Sequence, residues 1–189
     1  MINKLKIILI TVILTLFVSK SFSREVIPMI GIWDYKHDTD AYALNFKFID
    51  NEDDNGVNVK YLGNFKRTYD LSLFVDINNG FDFSPIKRSN NNWHSELSAY
   101  AATGLAKDIP ISKKFSFIPS FSAGLYQHFD QGKDMGFPLE FKSELGFNYS
   151  IFKNSSIGVS WSHISNADLG SKNPGSDNLL FGFRIKEKF

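Results

Sequence analysis

The chain of 189 residues has no cysteine, only four histidines and a formal net charge of just +1. Each shortage excludes something. Without cysteine there is neither a disulfide framework nor a lipoprotein attachment site, so an exported chain of this kind must be held by packing and backbone pairing. The near-neutral balance gives no sign of a nucleic-acid partner. Three of the histidines, His37, His94 and His128, have no partner that spacing can identify. Beyond the first two dozen residues no stretch is apolar for long enough to span a membrane as a helix, and none carries helical periodicity.

The amino-terminal stretch reads as a secretory signal peptide. Lys4 and Lys6 precede a 12-residue uncharged, largely apolar run, 7–18, followed by small residues at Ser21 and Ser23. That run falls well short of the ~20 residues a spanning helix needs. Cleavage is expected after Ser23, giving a signal peptide of residues 1–23 and a single domain of residues 24–189. Losing Lys4, Lys6 and Lys20 takes the net charge from +1 to −2.

What is abundant is alternation, together with 19 Phe. From Phe137 the odd positions read Phe137, Leu139, Phe141, Ser143, Leu145, Phe147, Tyr149 and Ile151, and the even ones include Glu140, Lys142, Glu144, Asn148 and Ser150. The same two-residue period runs through Tyr42, Leu44, Phe46 and Phe48, through Tyr69, Leu71, Leu73 and Val75, and through Phe115, Phe117, Phe121 and Leu125. These are strands with one apolar side. Eight are expected, at 40–50, 57–65, 69–77, 93–106, 114–127, 137–152, 157–166 and 177–189, with Val26 to Asp34 as a lead into the barrel or an extension of the first strand. A tight turn is expected at 66–68, an acidic loop at 51–56 and long polar loops at 78–92 and 167–176.

Long and short connections alternating around eight strands predict an all-β fold, an eight-stranded antiparallel transmembrane β-barrel of the bacterial outer membrane. A soluble lipocalin-like barrel has the same alternation with the apolar face turned inward. The Glu- and Lys-rich face of the sixth strand suits a polar barrel interior instead. Leu179, Phe181, Phe183, Ile185 and Phe189 share one parity, and an aromatic residue at the carboxy terminus resembles the assembly signal of outer-membrane proteins.

Parity then bears on the stretch from Trp161 to Asp177. Ile157, Val159, Trp161, His163 and Ser165 are odd positions of one strand, so imidazole and hydroxyl lie on its lipid-facing side, about 6.6 Å apart along the backbone. The next strand returns antiparallel, and Asp177 shares the parity of Leu179 and Phe181. A potential nucleophile, base and orienting acid thus gather at one rim, on the outside. Alone, a His-x-Ser pair closing a strand is more often interfacial polar decoration than a catalytic pair. As a triad, the imidazole would take the serine proton during attack on an ester, the carboxylate would fix its tautomer, and amide donors would meet the oxyanion.

His163-Ile-Ser165-Asn166-Ala167, then Asn173-Pro174-Gly175 and an acid twelve residues after the serine, strongly resembles the PagL-type lipid A 3-O-deacylases. The segments 31–34, 100–104, 119–126 and 139–143 also look like that family. The resemblance implies an outer-membrane esterase that hydrolyses the acyl chain at position 3 of lipid A, with lipid A or lipopolysaccharide as substrate and neither metal nor cofactor. It implies Ser165 as nucleophile, His163 as general base, Asp177 as acid where glutamate is usual, and Asn166 in the oxyanion hole through its side chain or adjacent amides; Asp168 is the reserve acid. An alternative from another class is a non-catalytic small barrel, structural or adhesive.

Other residues give weaker signals. Lys87, Arg88, Lys133 and Lys172 fall in expected external loops, within reach of lipid A phosphates, though solvated loop charges are the commoner reading of such residues. Trp93, Tyr149 and Trp161 are candidate interfacial anchors. Asp53 and Asp54 lack the ligand spacing of a known calcium loop.

Overall fold

The computed structural model describes residues 24–33, 41–50, 56–76, 97–129 and 133–186. The proposed signal peptide, Phe189, Asp53, Asp54, Lys87, Arg88, Trp93, His37 and His94 lie outside them. In chain order the strands are β1 (Arg24–Ile32), β2 (Ala41–Asp50), β3 (Val57–Val59), β4 (Gly63–Asp76), β5 (Leu97–Ala106), β6 (Ile109–Pro110), β7 (Phe115–Phe129), β8 (Leu139–Phe152), β9 (Ser155–Ser165) and β10 (Ser176–Lys186).

Eight of them close an antiparallel barrel in the order β1, β2, β4, β5, β7, β8, β9, β10, and β10 returns to β1 through pairs such as Val26↔Ile185 and Ile32↔Leu179. Closure matters because it leaves no unpaired edge, a condition for crossing lipid with strands.

Two expectations about the first strands are corrected. The segment near Val26 is a full barrel strand, paired along its whole length with β2 and also with β10. Conversely, 57–65 does not span: β3 is three residues folded onto the start of β4 by the turn at Lys60–Leu62, where Tyr61 takes a φ of 70°. Residues 66–68 are consequently strand, not turn, and one 14-residue β4 replaces two shorter strands. Residues 56–62 therefore lie at the same end as the short links 107–114 and 153–154, opposite the loop 166–175.

The alternation sorts as membrane placement requires. Ile30, Leu44, Phe46, Phe121, Leu145, Phe147, Phe181 and Phe183 stand exposed on the outer wall. Inside, Asn45, Lys47, Asp70, Ser72, Lys142, Glu144 and Arg184 are buried. Their charges are paired: Lys142 Nζ lies 2.7 Å from Asp70 and 3.0 Å from Glu144, Lys47 also meets Glu144, and Arg184 bonds Glu25 and sits 2.9 Å from Asp108. A buried charge is costly unless partnered, and here each has its partner on another strand, which ties the wall together across the interior. Towards the long-loop end an apolar cluster takes over, with Trp33 stacked on Phe74 at 4.6 Å and on Tyr126 at 6.3 Å, beside Tyr100, Met135, Ile164 and Leu180. Side chains fill this barrel, as eight strands allow.

Candidate active site

The hairpin of β9 and β10 carries the predicted residues. Asp177 is the register partner of His163, whose other neighbour, on β8, is Ser143; Ser165 pairs with Phe141. Across the first of these pairs His163 Nδ1 and Asp177 Oδ1 are 3.2 Å apart. His163 keeps 42% of its side chain exposed and Asp177 only 8%. The carboxylate has the expected parity but is buried rather than open to lipid. Ser165 is half-buried, two residues from His163 on the same face, and its hydroxyl makes no hydrogen bond among the described residues. Catalytic hydrogen bonds are often formed only when substrate closes the site.

The loop 166–175 is built to a fixed shape. Ala167 and Asp168 both take left-handed φ, 52° and 60°, in a turn closed by Leu169 N–H donating to the Asn166 carbonyl at 3.1 Å. Aspartate tolerates this region, but alanine gains nothing there, so the surroundings must hold it. Asn166 is what holds it. Its fully buried side-chain amide donates to the carbonyls of Met135 at 2.7 Å and Lys172 at 2.8 Å, while its backbone N–H is received by Asn173 Oδ1 at 3.1 Å. Asn173 in turn donates to Asp168 at 3.1 Å, so Asp168 is engaged within the loop and it is Asp177 that meets His163.

The neighbouring segment, 133–138, grips this loop from the side. Gly136, with φ +85°, brings its Cα so close to Lys172 that an added Cβ would stand 2.2 Å from that carbonyl oxygen. Lys172 Nζ pairs with Asp134 at 2.8 Å, and hydrogen bonds from Lys172 and then from the Gly136 N–H hold the Asp134 carboxyl below the usual carboxylate range. Lys133 donates to the Gly175 carbonyl. Each lysine thus has a partner within the protein. Trp161 lies one outward pair below His163, between Leu145 and Leu179, whereas Tyr149 lies towards the opposite end, beneath Lys114. Sequence reasoning singled out Asn173-Pro174-Gly175 as a block; what it missed is the grip from Lys133 and Met135, which no spacing along the chain encodes.

A closed barrel with an apolar outer wall and an interior filled by side chains defines a class: a small outer-membrane β-barrel. The chain belongs to the PagL family of lipid A 3-O-deacylases, whose model matches residues 68–186, well over half its length. It is accordingly an outer-membrane hydrolase that removes the acyl chain ester-linked at position 3 of lipid A. Among solved structures it is similar to the outer membrane enzyme PagL, at 16% identity over 85% of this chain and 98% of that one, with a TM-score of 0.53. It is also similar to Neisserial surface protein A, at 10% identity over 87% and 97% of the two chains, with a TM-score of 0.58. These likenesses are of fold. No curated protein sequence matches the chain.

Proposed function

We propose that Ser165, His163 and Asp177 are the nucleophile, general base and orienting acid of this deacylase. The observation that carries the proposal is the His163–Asp177 contact of 3.2 Å across a hairpin whose next outward residue is Ser165. With Nδ1 turned to the carboxylate, Nε2 is the nitrogen free to take the serine proton. Ser165 Oγ attacks the ester carbonyl as Nε2 accepts that proton. The sugar hydroxyl leaves with the proton, and water, deprotonated in the same way, releases the fatty acid from the acyl-serine.

Asn166 serves the oxyanion hole from behind. Its own donors are engaged, so the role falls to the adjacent backbone amides of the left-handed turn at Ala167 and Asp168, which Asn166 fixes in place. The ester lies below lipid A headgroups, at the depth of this rim, and the apolar wall beneath it continues into a groove lined by Ile30, Phe147, Val159, Phe181 and Phe183, which suits an acyl chain. Expression in a bacterial outer membrane tests the assignment. Lipid A mass should drop by one hydroxyacyl group with the unaltered chain, and remain intact with Ser165→Ala or His163→Ala in a folded barrel. Deacylation by Ser165→Ala would overturn it.

A further inference from the structure

Lys133 is anchored at three points, none of them in solvent. Its carbonyl receives the Tyr126 hydroxyl at 2.8 Å, its ammonium lies 5.8 Å from the centre of the Trp33 ring, and the same ammonium donates to the Gly175 carbonyl. Tyr126 and Trp33 are themselves buried members of the cluster that fills the long-loop end of the barrel. Gly175 stands directly against the imidazole of His163: with φ +62°, an added Cβ there would lie 3.0 Å from Cε1 and 3.5 Å from Nε2. His163 is thus bounded by Asp177 at Nδ1 and by Gly175 along the edge that includes Nε2. Two residues after Gly175 the chain reaches Asp177 itself.

We propose that Lys133 is a positioning residue for the deacylation: through its bond to the Gly175 carbonyl it presses the 175–177 segment against His163 and so aims Nε2 at Ser165. This rests on the triad assigned above. Lys133 touches no reacting atom, and its ammonium is committed to the protein rather than to a lipid A phosphate. Losing the bond frees the carbonyl and lets the imidazole swing; displacements of about 1 Å at a catalytic group cost up to ~100-fold in rate. Cation–π contact with Trp33 and a donor for Gly175 are both within the reach of arginine, so that substitution preserves the clamp.

The test uses the full-length protein in detergent micelles with purified lipid A, reading kcat and KM from release of the hydroxy fatty acid, and checks folding by the heat-dependent shift of the barrel on gels. Lys133→Met should lower kcat about 10- to 100-fold with KM unchanged, and Lys133→Arg should restore most of it. Gly175→Ala, which leaves Lys133 intact but pushes on the imidazole, should likewise lower kcat. Should Lys133→Met instead raise KM at constant kcat, with the effect vanishing on dephosphorylated lipid A, Lys133 is a phosphate ligand and the proposal falls. Wild-type kinetics for Lys133→Met alongside an inactive Ser165→Ala would overturn the clamp and leave the triad standing; an active Ser165→Ala would remove the triad beneath both.

Discussion

His163 engages Asp177 through Nδ1, and the length of the acid side chain is what makes this contact specific to the hairpin pairing. An aspartate reaches the imidazole because it stands directly opposite it, in register, with no residue between. Replacing Asp177 by Asn keeps shape and burial but removes the charge and reverses the donor preference at Nδ1, favouring the wrong imidazole tautomer. Asp177→Asn should therefore lose on the order of 10³- to 10⁴-fold in kcat while the barrel remains folded, measured as hydroxy fatty acid release. Full activity in that variant would move the acid role elsewhere. This much was legible in the sequence, because a two-residue period and one return strand suffice to put three side chains on one face. Burial of Asp177 was not legible, since parity gives the face but not what overlies it.

Among the elements, the loops around 133–138 and 166–175 act as a pair. Asn166 donates to one segment from the other, Gly136 permits their backbones to touch, and Lys172 with Asp134 forms an exposed link. That link adds little to stability on a solvated surface, and its sign is simple. Because the Asp134 carboxyl is held below its usual range, the pair is present above the unfolded pKa and is lost as pH falls through the lowered folded value. The backbone contact at Gly136 matters more. Gly136→Ala would set a methyl group against the Lys172 carbonyl at a φ that L residues avoid, so activity should fall at least about tenfold while unfolding of the barrel in urea is little changed. An unaltered rate in Gly136→Ala would show that the two segments do not depend on each other.

The strand assignment shows where local pattern stops being informative. Val57 and Val59 alternate with polar residues, whereas 26–30 is one apolar run, yet the former stay a three-residue hairpin arm and the latter becomes the seam of the barrel. What separates them is pairing: residues 24–32 have β2 on one side and β10 on the other, and the second partner is more than 140 positions away. Expecting eight strands gave the correct count by one gain and one loss. Alternation reports a pleat with two unlike faces; membership of a closed wall depends on hydrogen bonds to strands that are remote in the chain.

At the level of the whole molecule, the interior charges hold opposite walls in one arrangement. Lys142 on β8 bridges Asp70 on β4 and Glu144 on its own strand, and Lys47 on β2 reaches the same Glu144. Lys142→Met would leave Asp70 buried with its cation gone. Loss of one partner from a buried pair costs about 3–5 kcal/mol, so this variant should unfold from lipid bilayers at markedly lower urea than the wild type. Wild-type stability in Lys142→Met would mean that water in the barrel screens the network.

The proposed trio stands at the rim of the wall that faces lipid, and this changes the meaning of substrate concentration for the enzyme. A deacylase embedded beside its substrate meets it by lateral diffusion within one leaflet, so its rate is governed by the mole fraction of lipid A among neighbouring lipids rather than by moles per litre. Diluting the leaflet with inert lipid should slow it as competitive crowding would, even with the total lipid A in the tube held constant.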